Sequence, residues 1–258
     1  MYNVTLNEDG VSSTKSFARV HNLLDFAFGT FEDFSQRLGN SPSADARRTE
    51  IDRARQRSVL LHDARAKGLR LPVGFADNSR VALSSDPLFP LIVNHDNAMR
   101  VAGFHAVIID QAIFSLLGFA GSPDVVWYRP PINRQREILV VSDLKLSKSM
   151  KPLQENSRPC EQFAFTFRNI SDIHDTLFHK AGMQLNAYAY IVQDGYLDDI
   201  RQFFGVVSDQ PPELFLDLVV VHDELDGQLS LLRYPVRTQA FGALLDTWLL
   251  HEGHLIVV

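Results

Sequence analysis

The sequence from Gly121 to Ser147 reads GSPDVVWYRPPINRQREILVVSDLKLS. Two runs of β-branched, aromatic and leucine residues within it, at 124–128 and 137–141, predict two β-strands. Residues 130–133, Pro-Pro-Ile-Asn, separate the two runs and predict a turn. Because strands joined by a short turn pair as antiparallel neighbours, this stretch predicts a β-hairpin.

Each predicted strand has an acidic residue near one end. Asp124 opens the first strand, and Asp143 closes the second, with Leu144 and Lys145 directly after it. In an antiparallel hairpin the start of the first strand lies beside the end of the second, so we expect Asp124, Asp143 and Lys145 to meet. Because side chains alternate along a strand, Asp143 and Lys145 should share one face, with Leu144 on the other.

Two carboxylates and a lysine at one end of a sheet suit metal-assisted hydrolysis of a phosphodiester bond. Mg²⁺ prefers oxygen ligands and keeps several waters, so two protein carboxylates are a usual complement. A neighbouring lysine can orient the attacking water or, as the neutral amine, deprotonate it, or can stabilise negative charge on the phosphate. The hairpin therefore predicts a site for Mg²⁺ or a similar divalent ion.

A second motif lies further along the chain. Residues 182–190 read GMQLNAYAY, in which Gln184 and Tyr188 are four positions apart and share one face of a predicted helix. Together with Pro123-Asp124 and with Asp143-Leu144-Lys145, this Q-x-x-x-Y pattern resembles the RecB-like branch of the PD-(D/E)XK nuclease superfamily. The order of elements is similar, more loosely, to the nuclease-like domains of many fungal proteins.

The resemblance implies an α/β fold in which helices flank a mixed central β-sheet with a restriction-endonuclease-like PD-(D/E)XK core. This core would occupy residues 96–258, and a helical N-terminal region over residues 1–95 would pack on it. The implied activity is Mg²⁺- or Mn²⁺-dependent hydrolysis of phosphodiester bonds in nucleic acid, with DNA favoured over RNA.

The resemblance also implies roles for individual residues. Asp124 and Asp143, with the main-chain carbonyl of Leu144, would hold the metal. Lys145 would position the attacking water, and Gln184 would contact the scissile phosphate. The catalytic residues so implied are Asp124, Asp143, Lys145 and Gln184, and the substrate-binding residues are Tyr188 and Lys148.

A further acidic residue is implied on a helix ahead of the sheet, and the sequence leaves several alternatives for it. Residues 96–117 are apolar on adjoining helical faces and predict a buried helix. His105 in such a helix is more often a core histidine than a ligand, and Asp96 suits an N-cap. The candidates, which the sequence does not distinguish, are Asp96, His105, Asp110 and, in an earlier helix, Glu50.

The remaining pattern predicts helices and strands around this motif. Helices are predicted at Val20–Leu38, 45–68, 171–194 and Thr238–His251, and strands at Phe203–Val207, Leu214–Val221 and Leu229–Tyr234.

Charge and composition restrict the partners. The 258 residues carry a formal net charge of −6, which argues against a broad electrostatic grip on nucleic acid. Local basic patches remain, although each such patch is more often a solvated helix or loop face than a nucleic-acid contact. One patch contains Arg47, Arg48, Arg53, Arg55 and Arg57, and the other contains Lys145, Lys148 and Lys151.

The single cysteine, Cys160, excludes a disulfide within the chain and an iron–sulfur cluster held by four cysteines of it. The sequence contains no apolar stretch long enough to span a membrane and no signal-peptide pattern. We therefore expect an intracellular protein without a membrane partner, and its oligomeric state is open.

Two other readings of the motifs differ in class. In the first, the chain has a nuclease-like fold without cleavage and serves as a nucleic-acid-binding or protein-interaction module. In the second, the motif match is accidental and the protein is an unrelated α/β protein. A structure in which Asp124 and Lys145 lie far apart would favour the second.

Overall fold

The computed structural model describes residues 2–8, 11–28, 42–72, 77–115, 117–133, 135–146, 177–222, 228–237, 241–242 and 244–245. Several predictions concern residues outside these ranges, namely Lys148, Lys151, Cys160, the start of the helix predicted at 171–194 and most of the helix predicted at 238–251.

The strands are β1 Tyr2–Glu8, β2 Val11–Arg19, β3 His105–Ile109, β4 Ile113–Phe114, β5 Phe119–Gly121, β6 Val125–Arg129, β7 Ile138–Leu146, β8 Glu213–His222 and β9 Gln228–Tyr234. The helices are α1 Val20–Phe28, α2 Pro42–Arg70, α3 Asp77–Val81, α4 Phe89–Val101, α5 Leu177–Gly195 and α6 Leu197–Phe203. No helix among the described residues is both long and apolar enough to cross a membrane.

Within the described ranges, five strands form the main sheet in the order β3-β6-β7-β8-β9. Strands β7 and β8 are parallel and the other neighbours are antiparallel, so the sheet is mixed. The predicted hairpin is confirmed as β6 and β7, with Val125 opposite Ser142. Its turn includes Asn133 with φ +48°, a conformation that asparagine tolerates better than most residues.

Helices cover both faces of the main sheet. Helices α2 and α4 bury Leu61 and Phe89 on the face that carries Leu144. Helix α5 buries its apolar side on the opposite face, which carries Val141. Because β7 is covered on both sides, its sequence is a nearly continuous apolar run rather than an alternating one. The predicted mixed α/β sheet with flanking helices is therefore confirmed.

A smaller mixed sheet packs against the same core as α5. Among the described residues its strand order is β1-β2-β5-β4, with β2 and β5 parallel. Strands β1 and β2 form an antiparallel hairpin, so the N-terminal region contains strands as well as helices. Helix α1 begins at Val20 as predicted, and its described part ends at Phe28.

The helix predicted at 96–117 is wrong. Helix α4 begins at Phe89 and ends at Val101, and Gly103 has φ +84°, a left-handed conformation that ends helices. The β-branched run after it then forms β3, which pairs with β6. Asp96 is consequently a mid-helix residue and not an N-cap.

The strand predicted at Phe203–Val207 is also wrong. Helix α6 extends through Phe203, and Gly205 lies in the turn that follows, with φ +64°. Strands β8 and β9 confirm the two predictions that come after it.

We expect Gly182→Ala to destabilise the protein by about 1–3 kcal/mol, as insertion of a methyl group into a packed core does. A Cβ at position 182 would lie 2.1 Å from Cδ2 of Tyr234, whose ring packs on α5. Urea unfolding of wild type and variant measures the effect.

Gly242→Ala is the matched control, because no described atom lies within 4 Å of the Cβ position at residue 242. It should unfold at the same urea concentration as wild type or a higher one. Equal stability of both variants would contradict the close contact between α5 and β9.

Candidate active site

The hairpin brings the two predicted carboxylates together. Val125 pairs with Ser142, which places Asp124 next to Asp143 at the end of β6. The Leu144 N–H donates a hydrogen bond to Asp124 Oδ2 at 2.6 Å. Lys145 Nζ forms an ion pair with Asp143 Oδ2. The predicted meeting of Asp124, Asp143 and Lys145 is thus confirmed.

The alternation along β7 is also as predicted. The Leu144 side chain is buried in the cluster formed with α2 and α4. Asp143 and Lys145 therefore belong to the opposite face, the one covered by α5. Asp143 is almost fully buried, whereas Lys145 keeps about a third of its side chain exposed, at 29%.

His62 completes the cluster, and the sequence did not predict it. Its Nδ1 lies 3.0 Å from Asp124 Oδ1. His62 is in α2, directly after Leu61, the residue at which that helix begins to be buried against the main sheet. Spacing within α2 does not distinguish His62, because the packing of the helix on a distant hairpin is what brings it to Asp124.

Burial and charge set the protonation of this cluster. Burial and the neighbouring Asp124 carboxylate, opposed by Lys145, raise the pKa of Asp143 to about 6. Burial alone would raise the pKa of Asp124 too, but the hydrogen bond with His62 and the charges of His62 and Lys145 lower it. Asp124 is therefore the carboxylate that stays ionised, and Asp143 is the one that takes up a proton first.

The two basic groups respond to the same negative charge. Burial lowers the pKa of Lys145, but the charges of Asp143 and Asp124 outweigh burial and raise it. Burial would lower the pKa of His62, but the hydrogen bond with Asp124 and the charge of Asp124 outweigh burial and raise it. Lys145 is consequently a cation next to the carboxylates, and His62 takes up a proton more readily than an isolated histidine does.

A buried ion pair lies behind this cluster. Arg65, one turn after His62 in α2, donates from Nη2 to Asp96 Oδ1 at 2.7 Å and from Nε to Oδ2 at 3.0 Å. Burial alone would raise the pKa of Asp96, but Arg65 and His95 hold it below its usual value. The charges of Asp124 and Asp143 also act on Arg65. The ion pair therefore ties α2 to α4 beside the carboxylates.

The four candidates for a helix ligand are either paired with another group or exposed. Asp96 is paired with Arg65. His105 is an exposed residue of β3 opposite Tyr128, at the other end of β6 from Asp124. Asp110 donates its main-chain N–H to the carbonyl of Asp124, but its side chain is exposed.

Glu50, the fourth candidate, is an exposed residue in the first half of α2, twelve positions before His62. At 1.5 Å per residue this separation is about 18 Å along the helix. Helix α2 precedes the main sheet in the sequence and reaches the carboxylate pair. The residue it supplies there is His62, not an acidic residue.

Gln184 and Tyr188 share one face of α5, as predicted. Gln184 Nε2 donates to the Tyr188 hydroxyl at 2.6 Å, and both side chains are buried. The Tyr188 ring packs against Gly121, where a Cβ would lie 2.3 Å from Cε1. This bond joins Gln184 to Tyr188 rather than to the carboxylate pair, so a direct catalytic role for either remains a prediction.

The donor set suits a hydrated Mg²⁺ or Mn²⁺. Two adjoining carboxylates and the Leu144 carbonyl are oxygen donors of the kind these ions bind, and Mg²⁺ retains waters in the other positions. Within the described ranges, no group of three or more His, Cys, Asp or Glu side chains is arranged to hold a metal. The protein would therefore supply two carboxylates and a carbonyl, and water the remaining ligands.

Comparison with models of known protein families gives no match, and neither does comparison with curated proteins. Membership of the PD-(D/E)XK superfamily is consequently a proposal that depends on the motifs and on the geometry of this site.

We expect Arg65→Ala to destabilise the protein by about 3–5 kcal/mol, since it leaves the buried Asp96 charge without its main partner. The loss should shrink as the pH falls below 3.8. The pKa of Asp96 is lowered in the folded protein, so the stability gained from the pair is present above the usual aspartate pKa and is lost in acid.

Urea unfolding at pH 7 and at about pH 3, below the usual aspartate pKa, measures the effect. Arg53→Ala removes an exposed arginine from the same helix and should change the free energy of unfolding by less than about 0.5 kcal/mol. Similar small losses for both variants would contradict the role of Arg65 in holding α2 to α4.

Proposed function

We propose that this protein is a metal-dependent nuclease that hydrolyses phosphodiester bonds in DNA. The observation that carries the proposal is the meeting of Asp124, Asp143 and Lys145 at the end of the β6–β7 hairpin. These residues match the PD and DxK motifs, and the mixed sheet between helices agrees with a restriction-endonuclease-like core. Soluble α/β folds host many functions, so the site and not the fold supports the activity.

Each residue of the cluster has a role in this proposal. Asp124 and Asp143, with the Leu144 carbonyl, hold the divalent ion. When bound, that ion activates a water and stabilises negative charge on the phosphate. Lys145 orients the attacking water or stabilises the phosphate charge, and the Asp143 carboxylate beside it fixes the position of its ammonium group.

His62 and Leu144 position Asp124. The imidazole binds one carboxylate oxygen and the main-chain N–H binds the other, so the carboxylate plane is held from two sides. A carboxylate fixed in this way loses little conformational freedom when it binds an ion. We therefore assign His62 as a positioning residue of the metal site.

Gln184 and Tyr188 would support the substrate side of the site. Helix α5 covers the face of β7 on which Asp143 and Lys145 lie, so Gln184 is on the correct side of the sheet. In this proposal the hydrogen bond between Gln184 and Tyr188 fixes the amide, whose remaining groups contact the phosphate or a metal-bound water.

A module without cleavage is the second candidate. Lys145 and His62 already contact the two carboxylates, as basic groups do in a purely structural charge cluster. In that case the fold would bind nucleic acid or protein without hydrolysis. The nuclease needs a divalent ion bound by Asp124 and Asp143, whereas the module does not.

We expect labelled DNA to be cut in Mg²⁺ or Mn²⁺ and not in EDTA. Asp143→Ala removes a metal ligand and Lys145→Ala removes the cation beside the water, so each should lower the rate at least about a hundredfold. Gel analysis of single- and double-stranded substrates measures cleavage and shows whether ends or internal bonds are cut.

Asp63→Ala and Lys67→Ala are matched controls, because these residues form an exposed ion pair of the same residue types, with N···O 2.6 Å. Both controls should cut at the wild-type rate. Cleavage that survives Asp143→Ala and Lys145→Ala would exclude this site, and a folded wild type that never cuts would favour the module.

A further inference from the structure

Helix α2 has two halves with different surroundings. Leu61 is its first buried residue with a described side chain, and Ala64, Arg65 and Leu69 follow it into the interior. Residues 45–60 before it are exposed or half-buried wherever their side chains are described. We call residues 45–60 the exposed half of α2. At 1.5 Å per residue it is about 24 Å long and leads directly to His62.

Two arginines of the exposed half point in nearly the same direction as His62. Arg55 lies seven positions before His62 and Arg48 lies fourteen before it. At 100° per residue, the two arginines point within roughly 20° and 40° of the direction of His62. Arg55 is exposed, and Arg48 is partly exposed and pairs with Asp45. Because His62 contacts Asp124, these arginines form a basic row that ends at the carboxylate pair.

The acidic residues of α2 lie away from this row. By the same rotation, each acid of the helix points roughly 80° or more from the direction of His62. These acids are Asp45, Glu50, Asp52 and Asp63. The basic residues Arg53 and Lys67 point roughly to the back, at about 180° and 140°. The face that leads to the site is therefore basic, although the helix as a whole carries mixed charge.

This row matters because the protein as a whole is acidic. A formal net charge of −6 repels a polyanion at long range, so productive binding needs a local basic path. Arg55 and Arg48 stand about 10 and 21 Å from His62 along the helix axis. Successive phosphates on one strand of a duplex advance about 3.4 Å along its axis, so the row spans about six nucleotides.

We propose that Arg48 and Arg55 form a phosphate-binding row that guides a DNA strand along α2 to the carboxylate pair. The inference rests on the proposed function for its ligand, but it concerns binding and does not require cleavage. Arginine binds phosphate through its charge and its fork of donors, without reading sequence. The row therefore contributes affinity for any sequence and orients the strand that enters the site.

Binding is measured by fluorescence anisotropy with a labelled 30-mer, single-stranded and duplex, in EDTA so that cleavage does not interfere. The double variant Arg48→Ala/Arg55→Ala should bind about tenfold more weakly at low salt. The slope of log K against log salt should fall by about 1.8 for the duplex, or about 1.4 for the single strand, since two phosphate contacts are lost. Arg48→Lys/Arg55→Lys keeps both charges and should retain most of the affinity.

The control is Arg53→Ala/Lys67→Ala, which removes the same charge from the back of the same helix and should bind as wild type does. Equal weakening of both double variants would overturn the row, since the loss would then follow net charge and not position. Wild-type affinity in Arg48→Ala/Arg55→Ala would also overturn it.

Binding and cleavage measured together distinguish failure of the basic row from failure of the proposed nuclease function. If wild type binds DNA and the row variant does not, the row stands whether or not the protein cuts. If the row variant binds normally and wild type cuts in Mn²⁺, the row fails and the nuclease stands. Absence of binding by folded wild type to either form of DNA would overturn the row and the DNA substrate together.

Discussion

The structure depends on two carboxylates that the β6–β7 hairpin holds side by side at a buried sheet end. Removing an ion from water costs several kcal/mol even after the protein relaxes around it, and two like charges together cost more. The register of the hairpin fixes this juxtaposition, because Val125 pairs with Ser142 and Asp124 therefore lies next to Asp143. The surrounding cations have to offset that cost.

Two elements supply the basic groups around the pair. Strand β7 itself contributes Lys145, and α2 contributes His62 and Arg65. Arg65 forms an ion pair with Asp96 of α4. Charged residues beside the site therefore join the two helices that cover the Leu144 face of the main sheet. One helix thus joins the protein core, the carboxylate pair and a basic outer face, and a single change in its position would alter all three.

The proposed metal site would give this buried cluster a function beyond stability. Well-packed apolar residues in place of a buried ionic cluster are often as stable or more stable, so stability alone does not account for it. The elevated pKa of Asp143 means that the pair holds a proton more readily than an isolated aspartate does. A divalent ion bound by the pair would replace that proton. It would also replace part of the electrostatic attraction between Asp143 and Lys145.

The local chemistry of the site could be predicted from sequence because it lies within one hairpin. The β-branched runs, the Pro-Pro turn and strict alternation fix which residues meet over 121–147, and the structure agrees. His62 could not be predicted, because its contact with Asp124 spans 62 positions and depends on how α2 docks. The helix predicted at 96–117 failed where Gly103 and the β-branched run after it outweighed apolar periodicity. Gln184 was placed on the correct helix face, but its bond to Tyr188 depends on rotamers that spacing does not determine.

A titration with Mn²⁺, in which the EPR signal of the free ion reports binding, tests most directly whether this hairpin holds a metal. The wild type should bind Mn²⁺ at a site that Asp143→Asn abolishes, because the amide keeps the shape of the carboxylate and removes its charge. Asp63→Asn, which changes an exposed aspartate, should bind as wild type does. A folded wild type that binds no Mn²⁺, or an Asp143→Asn variant that binds it equally well, would contradict a metal site at this hairpin.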